Sequence, residues 1–197
     1  MMGEGREFIH LFHPSLFERL ASLKVEDVCR RTGAEFDPKE RAYFVRFLRD
    51  TYRIDPWGQS FRPSASAELQ VGIISYLISA QDIPLASRWV KMEELKGGNL
   101  FASSHPFPID PLIKRYGFDP DAFLQRGISL GGLPQSFGDA GLRFLALPRI
   151  PIAFVLWKGD EEFPPRLSVL FDATADRHLS LDALYGLVIE ICHRMSS

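Results

Sequence analysis

Two short apolar runs, Leu142 to Leu147 and Ile152 to Trp157, stand on either side of Pro148-Arg149-Ile150-Pro151, and an alternating segment, Leu167, Val169 and Phe171, follows soon after. Apolar runs this short, bounded by turn residues, read as strands rather than helices. The first two are too close in sequence for a crossover, so they pair antiparallel, and the third extends them into a meander. Ser180 then caps a helix whose apolar face is Leu181, Leu184, Tyr185, Val188, Ile191, Cys192 and Met195. A sheet with such a helix beside it needs further layers to bury both, which constrains the rest of the chain.

The N-terminal half supplies those layers. His13-Pro14 opens a helix with Leu16, Phe17, Leu20 and Leu23 on one face, and Val25, Val28 and Cys29 carry the pattern on to Gly33. Tyr43, Val45 and Phe47 share one face of a strand that turns at Asp50-Thr51 into a partner starting at Tyr52. Ser64 or Ser66 caps a helix reaching about Ser79 that is apolar nearly all round, which places it centrally. Short helices follow at Pro111 to Tyr116 and, capped by Asp119, at Pro120 to Arg126. Ser103 to Pro111 reads as a loop, and Leu85 to Leu100 has no clear period. The fold class is α+β: an antiparallel sheet with a C-terminal three-strand meander, covered by a buried central helix and a C-terminal amphipathic helix. Residues 1–197 form a single domain, with 1–12 expected to be a flexible N-terminal segment.

The charges exclude some functions. The formal net charge of the 197 residues is −2, and no basic stripe interleaves with aromatics, so neither nucleic acid nor an anionic membrane is an expected partner. Cys29 and Cys192 fall in apolar-faced helical segments as buried thiols, too few for a disulfide framework or an iron–sulfur cluster. No signal-peptide core follows Met1 to Phe8, and the run Ile150 to Trp157 is too short to span a bilayer. Cytoplasm is the expected compartment. The five histidines, His10, His13, His105, His178 and His193, are scattered and read as surface residues.

Strand direction sorts the polar residues. Residues before 142 fall at the same end of the meander as those after 157, which predicts Gly131, Gly132, Gly138 and Asp139 beside the loop Lys158-Gly159-Asp160-Glu161-Glu162-Phe163-Pro164-Pro165-Arg166. Asp172, Asp176, Arg177 and His178 fall at the other end with Arg149, roughly 20 Å away at about 3.3 Å per residue. The rim of Gly131, Gly132, Asp139, Asp160, Glu161, Glu162 and Arg166 is therefore the candidate ligand site. Its carboxylates suit a divalent cation held by Asp160 and Glu162, or a pair tuned for acid–base work. The plainer reading is a solvated turn, since Lys158 and Arg166 flank it and no calcium-loop spacing is present. No other cofactor is expected. The glycines from Gly127 to Gly132 follow a helix, where a helix stop is the simpler reading than a phosphate cradle.

The run Trp157-Lys158-Gly159-Asp160-Glu161-Glu162-Phe163-Pro164, then Leu170-Phe171-Asp172 and the helix capped by Ser180, resembles the prokaryotic family called domain of unknown function 3786. Arg31-Thr32-Gly33-Ala34, Gly131-Gly132 and Gly138-Asp139 are similar as well. The resemblance implies an uncharacterised protein. Some members carry a cysteine-rich iron–sulfur segment beside this domain, and this chain lacks those cysteines. Three readings stand: a binding or accessory module acting on a small molecule or a protein through the rim; an enzyme using the Asp139 and Asp160–Glu162 carboxylates for metal-assisted hydrolysis or proton transfer; and a subunit packing Phe163 and its prolines on a neighbour, the oligomeric state being open.

Overall fold

The structure, a computed structural model, describes residues 15–197. The expectations for residues 1–12, His10 and His13 lie outside the described residues. Helix α1 (15–21) lays Phe17 and Leu20 into the core. Helix α2 (Val25–Thr32) stops at Gly33, whose φ of 70° supplies a left-handed C-cap. Strands β1 (Glu35–Asp37), β2 (Ala42–Phe47), β3 (Asp50–Asp55) and β4 (Ser60–Arg62) form an antiparallel sheet in that order. Tyr43 faces Ile54 and Val45 faces Tyr52 on its buried side. The β2–β3 hairpin follows the sequence pattern. The two edge strands are three residues long, too short for a period of two to register.

Helix α3 (Ala67–Ser79) is central, and it is Ser66 that caps it, its hydroxyl accepting from the Leu69 N–H at 3.3 Å. Strand β5 (Trp89–Val90), a 3₁₀ turn at Met92–Glu94 and helix α4 (Gly98–Ser104) organise the stretch that shows no period in sequence. The expected loop from Ser103 to Pro111 shrinks to residues 105–109, because α4 ends at Ser104 and α5 (Asp110–Tyr116) begins at Asp110. Helix α6 (Pro120–Ser129), capped by Asp119, runs three residues past the expected end.

The second sheet contains β6 (Leu133–Gln135), β7 (Ala140–Leu147), β8 (Ile150–Trp157) and β9 (Arg166–Asp172), all antiparallel, in the order β5-β9-β8-β7-β6. Its buried face is three cross-strand ranks: Ala140, Leu156 and Leu167; Leu142, Phe154 and Val169; Phe144, Ile152 and Phe171. The reversal between β7 and β8 needs only Pro148-Arg149. Pro151 already lies in β8, beside a register irregularity at Leu145/Leu147, where a residue lacking an N–H is tolerated. After α7 (Ala175–His178), helix α8 (Leu181–Ser196) crosses α3, and the two backbones approach at Gly72 and Gly186. A Cβ on Gly72 would meet Leu187 Cδ2 at 3.1 Å.

Polar groups fasten the two sheets to this helical layer. Arg194 of α8 donates to Asp50 at 2.5 Å, to the Tyr52 hydroxyl at 2.7 Å and to Glu190 at 2.8 Å. The fully buried Tyr76 hydroxyl donates to the Thr32 carbonyl at 2.7 Å and accepts from the Arg149 N–H at 3.1 Å. It thereby joins the end of α2, leading into the first sheet, to the β7–β8 turn of the second. Burial pushes its ionisation up, so the hydroxyl is neutral and available for both bonds. Tyr76→Phe removes both bonds while keeping the ring. Leaving a buried carbonyl and N–H unpaired should cost about 2 kcal/mol or more. Urea unfolding measures this, and a loss within experimental error would remove the hydroxyl's bridging role.

Candidate functional site

The acidic loop is built as a turn. The Asp160 carboxylate accepts from the Glu162 N–H at 2.8 Å and the Phe163 N–H at 2.7 Å, and the Asp160 N–H donates to the Phe163 carbonyl at 2.9 Å. Those two amides, Phe163 first, hold the carboxyl below its usual range. Asp139, at the start of β7, accepts from the Lys158 N–H at 2.8 Å, so strand direction does bring Asp139 to this loop. Arg166 lies with its guanidinium 5.7 Å from the Trp157 ring centroid. Glu161 and Glu162 are exposed, with no side-chain hydrogen bond or ion pair among the described residues.

The loop also docks on the α5–α6 junction. Gly159 N–H donates to the Gly117 carbonyl at 2.9 Å. Pro165 sits against both glycines: a Cβ on Gly117 would meet its Cγ at 2.6 Å, and one on Gly159 its Cδ at 2.6 Å and Phe118 Cε1 at 2.7 Å. Only glycine allows this approach. Beside it, Phe118 and Phe163 both project into solvent.

Gly131 and Gly132 are not at this rim, contrary to the expectation from strand direction. Strand β6 pairs antiparallel with β7, Leu133 opposite Arg143 and Gln135 opposite Gly141, and returns the chain toward the far end. Gly131 therefore neighbours Arg49, and Gly132 neighbours Phe144. The Leu133-Pro134-Gln135 stretch carries no strand signal, with proline at its centre and only an edge position to occupy. The glycines act as the helix stop expected of them: Gly131 has a φ of 92°, and Gly132 N–H returns to the Gly127 carbonyl at 2.8 Å. Gly131 lines a groove of about 420 Å³ with Gly33, Glu35, Phe44, Arg46, Leu48, Thr51, Leu145 and Pro148, over the open face of the first sheet.

The opposite end of the meander holds Arg149, Asp172, Asp176, Arg177 and His178, as strand direction predicts. The eight residues of β8 separate it from the acidic loop by roughly 26 Å at about 3.3 Å per residue. His178 is fully buried, which corrects its reading as a surface residue. His178 Nδ1 accepts from the Gln81 N–H at 3.3 Å, which leaves its proton on Nε2. Asp172 accepts from the Ala86 N–H, the Thr174 N–H and the Thr174 hydroxyl at 3.0, 3.0 and 2.6 Å. Arg149 donates to the Ile83 carbonyl and to Asp82, Arg177 to Gln81, and the Lys96 N–H to Asp176. Apart from the two local bonds between Thr174 and Asp172, these bonds pin the irregular chain between α3 and α4, so the cluster is structural. Histidine burial has no signature in sequence; the short spacing of Asp172 and His178 around Thr174 is the one hint available.

The carboxylates of the acidic loop and Asp139 are exposed, and among the described residues no group of three or more His, Cys, Asp or Glu is arranged to hold a metal ion. Burial raises the Cys192 thiol to about 12, and also raises that of Cys29, so neither is an activated nucleophile. No described helix is long and apolar enough to cross a membrane. With this geometry in place, comparison with known proteins adds one match: the model of the family described as Domain of unknown function (DUF3786) fits residues 24–194, and the chain belongs to that family. No curated protein and no solved structure matches it.

Two measurements test these assignments. If Asp160 is a turn former, Asp160→Ala should speed hydrogen exchange at the Glu162 and Phe163 amides while Asp160→Asn preserves their protection; equal exchange in all three proteins would contradict it. Burial first, and then the Arg149 charge, hold His178 below its ordinary 6.5, with Asp172 opposing. The folded state thus binds fewer protons than the unfolded one. The stabilisation is complete above about 6.5 and is lost as pH falls through the folded value. Urea midpoints should drop as pH falls below about 6.5, and His178→Gln should flatten that slope; an unchanged slope would exclude His178 as its source.

Proposed function

We propose that this member of the family is a binding module that docks a protein partner through the surface shared by the 158–166 loop and the α5–α6 junction. The carrying observation is the pair of phenyl rings, Phe118 at 64% exposure and Phe163 at 65%. Both stand on backbone that the Gly159–Gly117 bond and the wedged Pro165 hold in place. Large apolar side chains on a preorganised surface bind with little ordering cost, and aromatic anchors ringed by polar groups are the usual energetic centres of interfaces.

The surrounding charge selects the partner. On this surface the five carboxylates Asp119, Asp121, Asp160, Glu161 and Glu162 outnumber the two cations, Lys158 and Arg166. The matching surface carries an apolar anchor flanked by Lys or Arg. A second copy of this chain fits poorly, because a two-fold contact would set like charges against each other. The enzyme reading has less support: a proton-transfer carboxylate needs an apolar wall that raises its pKa, and Asp160 is shifted the other way.

Peptide-display selection on the full chain tests the reading. Enriched peptides should pair an aromatic or aliphatic anchor with basic residues, weaken with added salt, and bind Phe118→Ser/Phe163→Ser at least about tenfold less tightly. The variant should melt as the parent does, since neither ring is buried. Peptides without basic residues, or equal binding to the variant, would sink the proposal.

A further inference from the structure

The groove lined by Gly131 has a chemistry of its own. Strand β2 turns Tyr43, Val45 and Phe47 inward, so Phe44 and Arg46 face outward over the groove. Glu35 lies opposite Phe44 on β1, and Thr51 lies opposite Arg46 on β3. The far wall comes from the second sheet and its flanks: Leu145, Pro148 and Gly131. Leu145 is half exposed there, at the turn end of the β7–β8 pairing beside the register irregularity. The volume of about 420 Å³ is within the usual range for small-ligand sites, and an apolar floor with a few convergent polar groups is their usual composition.

The polar groups are unspent. Among the described residues, the side chains of Glu35, Arg46 and Thr51 have no hydrogen-bond or ion-pair partner. This sets them apart from the arginines at the groove's margins: Arg49 donates to the Ile128 carbonyl, and Arg53 to Glu40. The two free charges are of opposite sign and are separated by Phe44. From a rise of about 3.4 Å and a strand spacing of about 4.8 Å, the Cα atoms of Glu35 and Arg46 lie roughly 8 Å apart on the diagonal.

We propose that this groove binds a short zwitterionic peptide with apolar side chains, of about dipeptide length. Arg46 takes the terminal carboxylate, with the Thr51 hydroxyl beside it. Glu35 takes the terminal ammonium. The side chains rest on Phe44, Leu48, Leu145 and Pro148. Two extended residues span about 7 Å, close to the Cα separation of Glu35 and Arg46. A zwitterion engages Arg46 and Glu35 together, whereas a ligand of one charge engages only one of them, so the pair of charges defines the ligand class.

The probe is leucyl-leucine, with its N-acetyl and C-terminal amide derivatives as single-charge controls. Amide chemical shifts of the full chain report where and how tightly each binds. At millimolar leucyl-leucine, shifts should cluster on β1, β2 and the Leu145–Pro148 turn. The acetyl and amide forms should each bind at least about tenfold more weakly, as should the parent peptide with Glu35→Gln or Arg46→Gln. The cycle is the decisive part: acetylation should cost nothing further in Glu35→Gln, and amidation nothing further in Arg46→Gln. Both positions are exposed, so equal melting temperatures verify that the variants fold. No shift at millimolar peptide, shifts outside the groove, or controls that bind as well as the parent would each overturn the assignment. The acidic loop is not involved, so this outcome is independent of the protein-docking proposal.

Discussion

The Tyr76 hydroxyl is a small group on which two sheets depend. It sits on the central helix, donates to Thr32 and accepts from Arg149, and so ties the lead-in to the first sheet to a turn of the second. A hydroxyl in an apolar interior is costly unless both capacities are used, and here both are. Around it, Arg149 extends the connection to Ile83 and Asp82, and Arg31 bonds the carbonyls of Ala80 and Leu77. The two sheets could not slide relative to α3 without breaking several of these bonds together. That rigidity sets the width of the groove between β2 and the β7–β8 turn.

Gly131, grouped with the acidic loop by the sequence, lines a groove elsewhere in the molecule. Reading direction from strands β7 and β8 brought Asp139 correctly to the 158–166 loop, where its carboxylate meets the Lys158 amide. The same reasoning misplaced Gly131 and Gly132, because three residues containing a proline form an edge strand and reverse the chain once more. Once separated, each place has a simpler chemistry. The loop spends Asp160 on its own amides and presents Phe163 beside Phe118 of the α5–α6 junction. The groove keeps one cation and one anion free.

Burial of polar residues was the part least visible beforehand. Asp172 and His178 hold the chain between α3 and α4 through bonds to Ala86 and Gln81, partners about ninety residues away. No local pattern encodes such a bond, because neither end is periodic and the stabilisation exists only when both are folded. The apolar ranks were legible for the opposite reason. Leu142, Phe144, Ile152, Phe154, Val169 and Phe171 repeat with the strand period, and that repeat survives without knowledge of what covers it.

From sequence alone come the α+β class, the β2–β3 hairpin, the C-terminal meander, the central position of α3, the caps Asp119 and Ser180, and the choice of Ser64 or Ser66 as the cap of α3. These are consequences of short-range rules: side-chain period, turn residues, and orphan amides at helix ends that need an acceptor nearby. Tertiary structure alone decided that Gly131 lines a groove, that His178 is buried, and that Gly159 must be glycine because Pro165 and Phe118 close over it. Those features depend on which surfaces meet, and contact between distant segments is set by packing of the whole core rather than by any window of residues.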